Sequence, residues 1–346
     1  MLPETPDDPP APVPLSVLDL SPVPSGASAS TALRRTVQLA RAAERFGYHR
    51  YWLAEHHNTP AVAGSAPEVL VAAVAAATTT LRVGAGGVML PNHAPLRVAE
   101  AFRVLEGLHP GRIDLGLGRA PGTDGRTALA LRGAREPHRG DDFAERYAQL
   151  LGHADGFPAG HPLAGVRAVP ADVPLPPVWV LGSSEHGARA AAELGTGYAY
   201  AAHFGTADPA TALRTYREGF RPCARRAQPH AVLAVGAIVA DGDERAGALL
   251  RAQQLATAHL RLGRPGPLPS PEEAAAHAWT AAERHVAAQG TGLVLAGTAG
   301  DVAARLRELV GTTGADELMV VTQVHDHAER ERSYELLARE WGVHPG

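Results

Sequence analysis

Short apolar runs alternate with segments of helical periodicity along most of this chain. Runs at residues 15–20, 51–55, 82–90, 112–118, 178–181, 198–202, 232–240 and 317–324 predict eight strands. Between two of them, Val98, Phe102 and Leu105 recur at the spacing of one helix face. Because strand and helix alternate throughout, the pattern predicts a parallel sheet with right-handed crossovers.

Eight such units favour a closed barrel, and an open doubly wound sheet is the alternative. The predicted fold class is therefore α/β, with a single TIM-type (β/α)8 barrel over residues 15–346. The alternation breaks at residues 135–177 and 261–297, so we expect insertions after strands 4 and 7. Residues 1–14 are rich in proline and predict a disordered tail.

Composition narrows the class of protein. The chain has 346 residues, of which 45% are apolar, enough to fill a large core. A formal net charge of −4 indicates neither a nucleic-acid partner nor an anionic membrane surface. One cysteine excludes an intramolecular disulfide. The chain shows no apolar run near the ~18 residues of a membrane span and no signal peptide, so we expect a cytoplasmic protein.

Three ionisable side chains, Glu55-His56-His57, stand where the second strand ends, the edge at which such barrels carry their active sites. Side chains alternate along a strand, so Glu55 and His57 share a face. Adjacent histidines suit a metal less well than a His-x-His pair, and we expect no catalytic metal. Proton transfer or stabilisation of a developing anion by a histidine is favoured. A structural role for one of the two histidines stays open.

The third strand is rich in glycine, including Gly86 and Gly87. Glycine weakens a strand interior and marks either a bulge or a close approach of a ligand to the backbone. A flat ring lying against the strand would need such a bare surface. A bulge without a ligand is the alternative.

Two further strand ends indicate an anion site. Arg119 lies in a glycine-rich turn after the fourth strand and is suited to a phosphate, although the glycine spacing is wrong for a dinucleotide fingerprint. Ser183 and Ser184 follow the fifth strand and precede a helix, where hydroxyls and N–H groups bind anions or simply cap the helix. Because the two strands are neighbours, these residues outline one phosphate pocket.

In this order, the motifs resemble the bacterial luciferase-like flavin monooxygenases, and most closely their small-protein subgroup associated with natural-product pathways. The resemblance runs from about residue 15 to 342, and the segments that carry it are 21–23, 51–57, 83–95, 111–122 and 181–184.

This resemblance implies an enzyme that takes reduced FMN from a separate flavin reductase. It implies reaction of O₂ at the flavin C4a, giving a peroxyflavin that oxygenates a small organic substrate. A deazaflavin F420-dependent oxidoreductase and a non-catalytic flavin-binding homologue are the alternatives. The resemblance also allows a homodimer.

The resemblance also assigns roles to residues. His56 matches the active-site histidine, and Gly86-Gly87 matches a non-prolyl cis peptide against the isoalloxazine. Arg119 and Ser184 match phosphate ligands. The predicted cofactor-binding set is Ser21, Glu55, Gly86, Gly87, Arg119, Gly182, Ser183 and Ser184. Gly118 and Ser183 stand where luciferase has Cys and Glu, so light emission is not expected.

Overall fold

Eight parallel strands close into a barrel in the computed structural model of the chain, which describes residues 12–120, 122–132, 142–205, 207–289 and 292–344. The described residues form nine strands, eight of them in the ring: β1 (Leu15–Asp19), β2 (Arg50–Leu53), β3 (Arg82–Met89), β4 (Ile113–Gly118), β5 (Val178–Gly182), β6 (Gly197–Ala201), β7 (Ala231–Val239), β8 (Val294–Gly297) and β9 (Glu317–Val321). The predicted TIM-type fold is confirmed.

The helices surround the barrel and make its crossovers. They are α1 (Ala29–Arg45), α2 (Pro67–Ala77), α3 (Pro95–Leu108), α4 (Gly125–Arg132), α5 (Phe143–Asp155), α6 (Glu185–Glu193), α7 (Pro209–Gly219), α8 (Asp243–Arg261), α9 (Pro271–Ala276), α10 (Ala281–Ala288), α11 (Ala299–Thr313) and α12 (His327–Trp341). None of the described helices has the length and apolar character that a membrane crossing requires.

The ring closes through the long strand β7. Strands β1 to β6 pair in chain order, β6 pairs with β7, and β7 pairs with β9, which returns to β1. The last two contacts are in register at Val232 with Glu317 and at Leu15 with Leu318. The closed ring is therefore made of β1 to β7 and β9.

The structure corrects the predicted strand count, because β8 lies within a stretch expected to be irregular. It pairs with the second half of β7, from Gly236 opposite Val294 to Val239 opposite Gly297. Four residues are too few to show a period, so the sequence pattern could not mark this strand. Strand β8 is extended because the last residues of β7, which lie beyond its pairing with β9, offer it backbone hydrogen bonds.

Two connections are much longer than the others. The one from β4 to β5 carries α4 and α5, and the one from β7 to β9 carries α8 to α10, β8 and α11. Arg103 of α3 holds the first in place by donating to the carbonyls of Ala154 and Ala168, each at 2.7 Å. Residues 133–141 of that connection, and residues 1–11 of the expected tail, lie outside the described residues.

Trp52 lies inside the barrel, in close contact with the glycines of β3. It is fully buried, and its indole Nε1 donates to Asp114 at 3.2 Å. A Cβ at Gly84 would lie 2.9 Å from that nitrogen, and a Cβ at Gly86 would lie 3.0 Å from the Trp52 Cβ. A Cβ at Gly84 would also lie 2.6 Å from the Asp114 carbonyl oxygen, closer than real Cβ atoms approach, so position 84 requires glycine, whereas position 86 is only tightly packed.

Charged side chains tie the strands together at the opposite end of the barrel, where the strands begin. Arg50 donates to Asp114 at 2.8 Å and to Glu317 at 2.7 Å, and all three are buried. Its guanidinium also lies 4.9 Å from the Trp179 ring centroid. A buried charge cluster persists only when its members are paired, so this one links β2, β4 and β9.

We expect Gly84→Ala to destabilise the fold by about 1–3 kcal/mol, the usual cost of overpacking a core, because the new methyl meets Trp52 and Asp114. Gly247→Ala in α8 is the control, since a Cβ there meets no atom within 4 Å. That change should stabilise by roughly 0.5–1 kcal/mol. Urea unfolding measures both, and two equal effects would contradict the packing role of Gly84.

Candidate active site

Four strand ends lie side by side at one mouth of the barrel. Met89 of β3 pairs with Gly118 of β4, and Gly118 pairs with Leu181 of β5. Gly182 in turn pairs with Tyr200 of β6. The segments that follow these strands therefore leave the barrel at the same edge, as predicted for Arg119 and the serine turn.

The carboxylate of Glu55 accepts several hydrogen bonds near this mouth. It is fully buried and receives His57 Nε2 at 2.8 Å, His93 Nε2 at 2.9 Å and the backbone N–H of Met89 at 2.8 Å. Burial alone would raise the pKa of Glu55, but His93, His57 and the Met89 N–H outweigh it and lower the pKa. Glu55 is thus an anion that joins the segment after β2 to the end of β3.

His93 is a site residue that the sequence did not assign. Its hydrogen bond to Glu55 raises the pKa of His93, against the opposing effect of its burial. It follows β3 and a short 3₁₀ turn, Leu90–Asn92. Its position just after a strand could have indicated a site residue. The sequence analysis interpreted only the glycines of that strand.

His56 lies next to Glu55 as a neutral imidazole. Burial lowers the pKa of His56, and His57 adds to the shift, although Glu55 opposes it. Its backbone N–H donates to Gly64 at 2.8 Å, which fixes the residue. Its buried Nδ1 has no hydrogen-bond partner among the described residues. Buried polar atoms are nearly always paired, so this nitrogen is free to accept or donate a hydrogen bond.

A second neutral imidazole, that of His203, stands after β6. Burial, with a smaller contribution from the nearby His56, lowers the pKa of His203 to about 4, against the opposing effect of the Ala234 carbonyl. Its Nδ1 lies 3.4 Å from that carbonyl oxygen. The sequence prediction missed His203 because it is a single polar residue following an apolar run.

The Gly86–Gly87 peptide is cis, as the resemblance implies. The register of β3 against β4 shifts across it, so the bulge is present. A Cβ at Gly86 would lie 2.7 Å from Leu18 Cδ1, and one at Gly87 would lie 2.7 Å from the Gly116 oxygen. Barrel packing is therefore sufficient to require glycine at position 87, where the obstacle is backbone, and a role of the pair as a ring platform is a separate hypothesis.

Arg119 follows β4, and its guanidinium lies 5.9 Å from the ring centroid of Phe143 in α5. The aromatic face supports the cation. The preceding Gly118 also has a packing reason, since a Cβ there would collide with the Met89 sulfur. A cysteine at position 118 would therefore require Met89 to move.

The serine turn after β5 is both a helix cap and a packed corner. Ser184 is the N-cap of α6, and its Oγ accepts the Gly187 N–H at 3.4 Å. The Tyr198 hydroxyl donates to the Ser184 carbonyl at 3.1 Å. A Cβ at Gly182 would lie 3.3 Å from Gly187 Cα, so glycine permits this close strand–helix contact. Ser183, between Gly182 and Ser184, is half-buried.

Ser21 is held in the turn after β1. It is buried, with a left-handed φ of 51°, and its N–H donates to Asp19 at 2.7 Å. Its hydroxyl pairs with Thr36 of α1 at 2.8 Å. Arg330 of α12 also holds Asp19 at 2.7 Å. Ser21 therefore supports the turn after β1, and its place in the cofactor-binding set stays a prediction.

The structure is a TIM-type barrel with polar side chains at its strand ends. Comparison with known proteins identifies the family. The sequence model described as luciferase-like monooxygenase matches residues 13–317. A protein of Escherichia coli (strain K12) named luciferase-like monooxygenase is 45% identical over 321 residues, which cover 93% of this chain and 95% of that protein. This chain belongs to the luciferase-like monooxygenase family.

A second sequence relative is named as a monooxygenase, and a solved structure has the same fold. N-acetyl-S-alkylcysteine monooxygenase of Bacillus subtilis (strain 168) is 36% identical over 328 residues, 94% of this chain and 97% of that protein. The crystal structure of apo-MsnO8 superposes with a TM-score of 0.85 at 35% identity, covering 96% of this chain and all of that one. Family and relatives together support an oxygenase, and hence an oxidoreductase, function.

We expect His93→Gln to destabilise the protein more at pH 6 than at pH 9. Because Glu55 raises the pKa of His93, the ion pair stabilises the fold below pH 6.5 and is lost as the pH rises through the raised value. The loss at pH 6 should be about 1.5–3 kcal/mol, as for a hydrogen bond between charged groups.

Urea unfolding at the two pH values measures this difference. His285→Gln is the control, because His285 is exposed and its ring contacts Gln289. An equal loss at both pH values for His93→Gln would show that the charge of His93 plays no part.

Proposed function

We propose that this protein is an FMN-dependent monooxygenase that uses reduced FMN and O₂ to oxygenate a small organic substrate. The observation that carries the proposal is the buried Nδ1 of His56, which lacks a partner among the described residues and lies after β2. It lies at the same edge of the barrel as an Arg and Ser pair suited to a phosphate. A ligand with a polar ring and a phosphate fits both features.

Arg119 and Ser184, with Ser183 and Gly182, would hold the phosphate. They follow the neighbouring strands β4 and β5. The N-terminus of α6 adds the positive end of its dipole. The Ser184 oxygen already accepts an N–H, but its hydroxyl proton remains available to donate, because a hydroxyl can do both. This donor set suits a dianion.

His56 would act on protons at the reacting centre. Reduced FMN, when bound, supplies the two electrons that activate O₂. The neutral imidazole of His56 can accept a proton or donate one, depending on its tautomer. Glu55 does not touch the ligand in this proposal, since it is fully buried and holds His57, His93 and the Met89 N–H. It is a positioning residue that fixes the segment carrying His56.

Anaerobic titration with reduced FMN and reduced F420, side by side, tests the choice of cofactor. We expect saturable binding with a clear preference for FMN, and O₂-dependent product once a separate flavin reductase and a substrate are supplied. A preference for F420 would make the protein an F420-dependent oxidoreductase. Tight binding of oxidised flavin without turnover would make it a flavin-binding protein.

We expect Arg119→Ala to weaken binding of reduced FMN by about 1.5–3 kcal/mol, the contribution of a charged hydrogen bond. Arg97→Ala is the matched control, because Arg97 is exposed on α3 and pairs with Glu100. Fluorescence titration measures both affinities. An unchanged affinity in Arg119→Ala would remove this residue from the phosphate pocket.

We expect His56→Ala to reduce product formation by about 10²–10⁴-fold, the usual contribution of acid–base catalysis, with little change in flavin affinity. Single-turnover assays and flavin titration separate the two effects. If the variant loses flavin binding instead, His56 has a structural role and not a catalytic one.

A further inference from the structure

Two histidines and a glutamate meet in the connection between β7 and β8. They are His259 of α8, His277 directly after α9, and Glu283 of α10. Within the described ranges, this is the one group of three potential metal ligands whose donor atoms all lie within 4.8 Å of one another.

The donor atoms converge on one carboxylate. His259 Nε2 lies 3.2 Å from Glu283 Oε1, and His277 Nε2 lies 3.0 Å from Oε2. The two rings are nearly perpendicular, with centroids 5.5 Å apart. Tetrahedral Zn²⁺ with ligands at 2.0–2.2 Å places those ligands about 3.3 Å from one another. The cluster therefore needs only small adjustments to enclose such an ion.

Burial makes the glutamate a strong anchor. Glu283 is 1% exposed, and its Oε2 also receives the N–H of Thr280 at 2.8 Å, which completes the capping box of α10. The two histidines retain some exposure, so an ion can reach them from solvent. Arg264 already places one cation at the site, 3.1 Å from Oε1, but its side chain is 60% exposed.

We propose that His259, His277 and Glu283 bind one Zn²⁺ ion. Two imidazoles and a carboxylate suit this metal, and water would complete its coordination. Each histidine would coordinate through an Nε2 lone pair, so binding would move or release the protons now shared with Glu283. Arg264 would leave Oε1 as the ion takes its place. Sequence spacing does not predict the site, because its ligands form no local motif.

The ion would fix a segment that lies against the barrel mouth. Between the two histidines, Leu268 exchanges backbone hydrogen bonds with Val23 and Ser25 in the turn after β1, at 2.8 Å each. The hydroxyl of Ser25 also donates to Glu273 of α9 at 2.5 Å. Zinc binding should therefore stabilise the α8–α10 segment together with that turn.

Calorimetric titration of ZnCl₂ into tag-free full-length protein, stripped with EDTA and dialysed, tests the proposal. We expect one ion per chain and a higher Tm with zinc. His277→Ala and His259→Ala should each weaken zinc binding at least tenfold and remove the Tm shift. His285→Ala, an exposed histidine on α10, should change neither.

Arg264→Gln separates a zinc site from a purely structural ion pair. If Arg264 competes with the ion, its removal tightens zinc binding; if the cluster is only an ion pair, the protein loses stability and gains no affinity. Absence of saturable binding to the wild-type protein would overturn the proposal, even if a variant fails to fold. Unchanged zinc affinity in folded His259→Ala and His277→Ala variants would overturn it as well.

Discussion

A closed barrel must fill its own interior, and here the Trp52 indole packs there with other buried apolar side chains, Trp179 and Met319 among them. Trp52 and Asp114 occupy the space that a side chain at position 84 would enter, so Gly84 must be glycine, and Trp52 also leaves little room at Gly86. Its Nε1 is satisfied by Asp114, which Arg50 also holds in the charged cluster at the other end of the strands. The position of β3, and hence of everything after it, follows from this packing.

The mouth depends on the interior through Glu55. Where β3 ends, the Met89 N–H donates to the carboxylate that also holds His57 and His93. The buried Glu55 carboxylate joins the segment that carries His56 to the end of β3, and so fixes the position of His56 relative to the barrel. Catalytic groups on loops gain precision from such support, because the loop alone would not hold an imidazole in one orientation.

The sequence predicted the barrel and its mouth because both have periodic or positional signals. Alternating apolar runs predicted the strands, and polar motifs after them singled out His56, Arg119 and Ser184 as candidate site residues. Features that depend on contacts between distant segments were not predictable. Strand β8 is extended because β7 pairs with it, and His259, His277 and Glu283 meet only through the packing of α8 with α10. The contact between the Ser21 hydroxyl and Thr36 of α1 likewise joins segments that no local pattern relates.

In the function proposed above, the strand ends form one site for a flavin ring and its phosphate. The most direct test compares the affinities of reduced FMN and reduced riboflavin for the wild-type protein under anaerobic conditions. If Arg119 and the serine turn bind the phosphate, reduced FMN should bind at least about tenfold more tightly, since one charged hydrogen bond accounts for that much. Equal affinities would contradict the phosphate pocket and the account built on it.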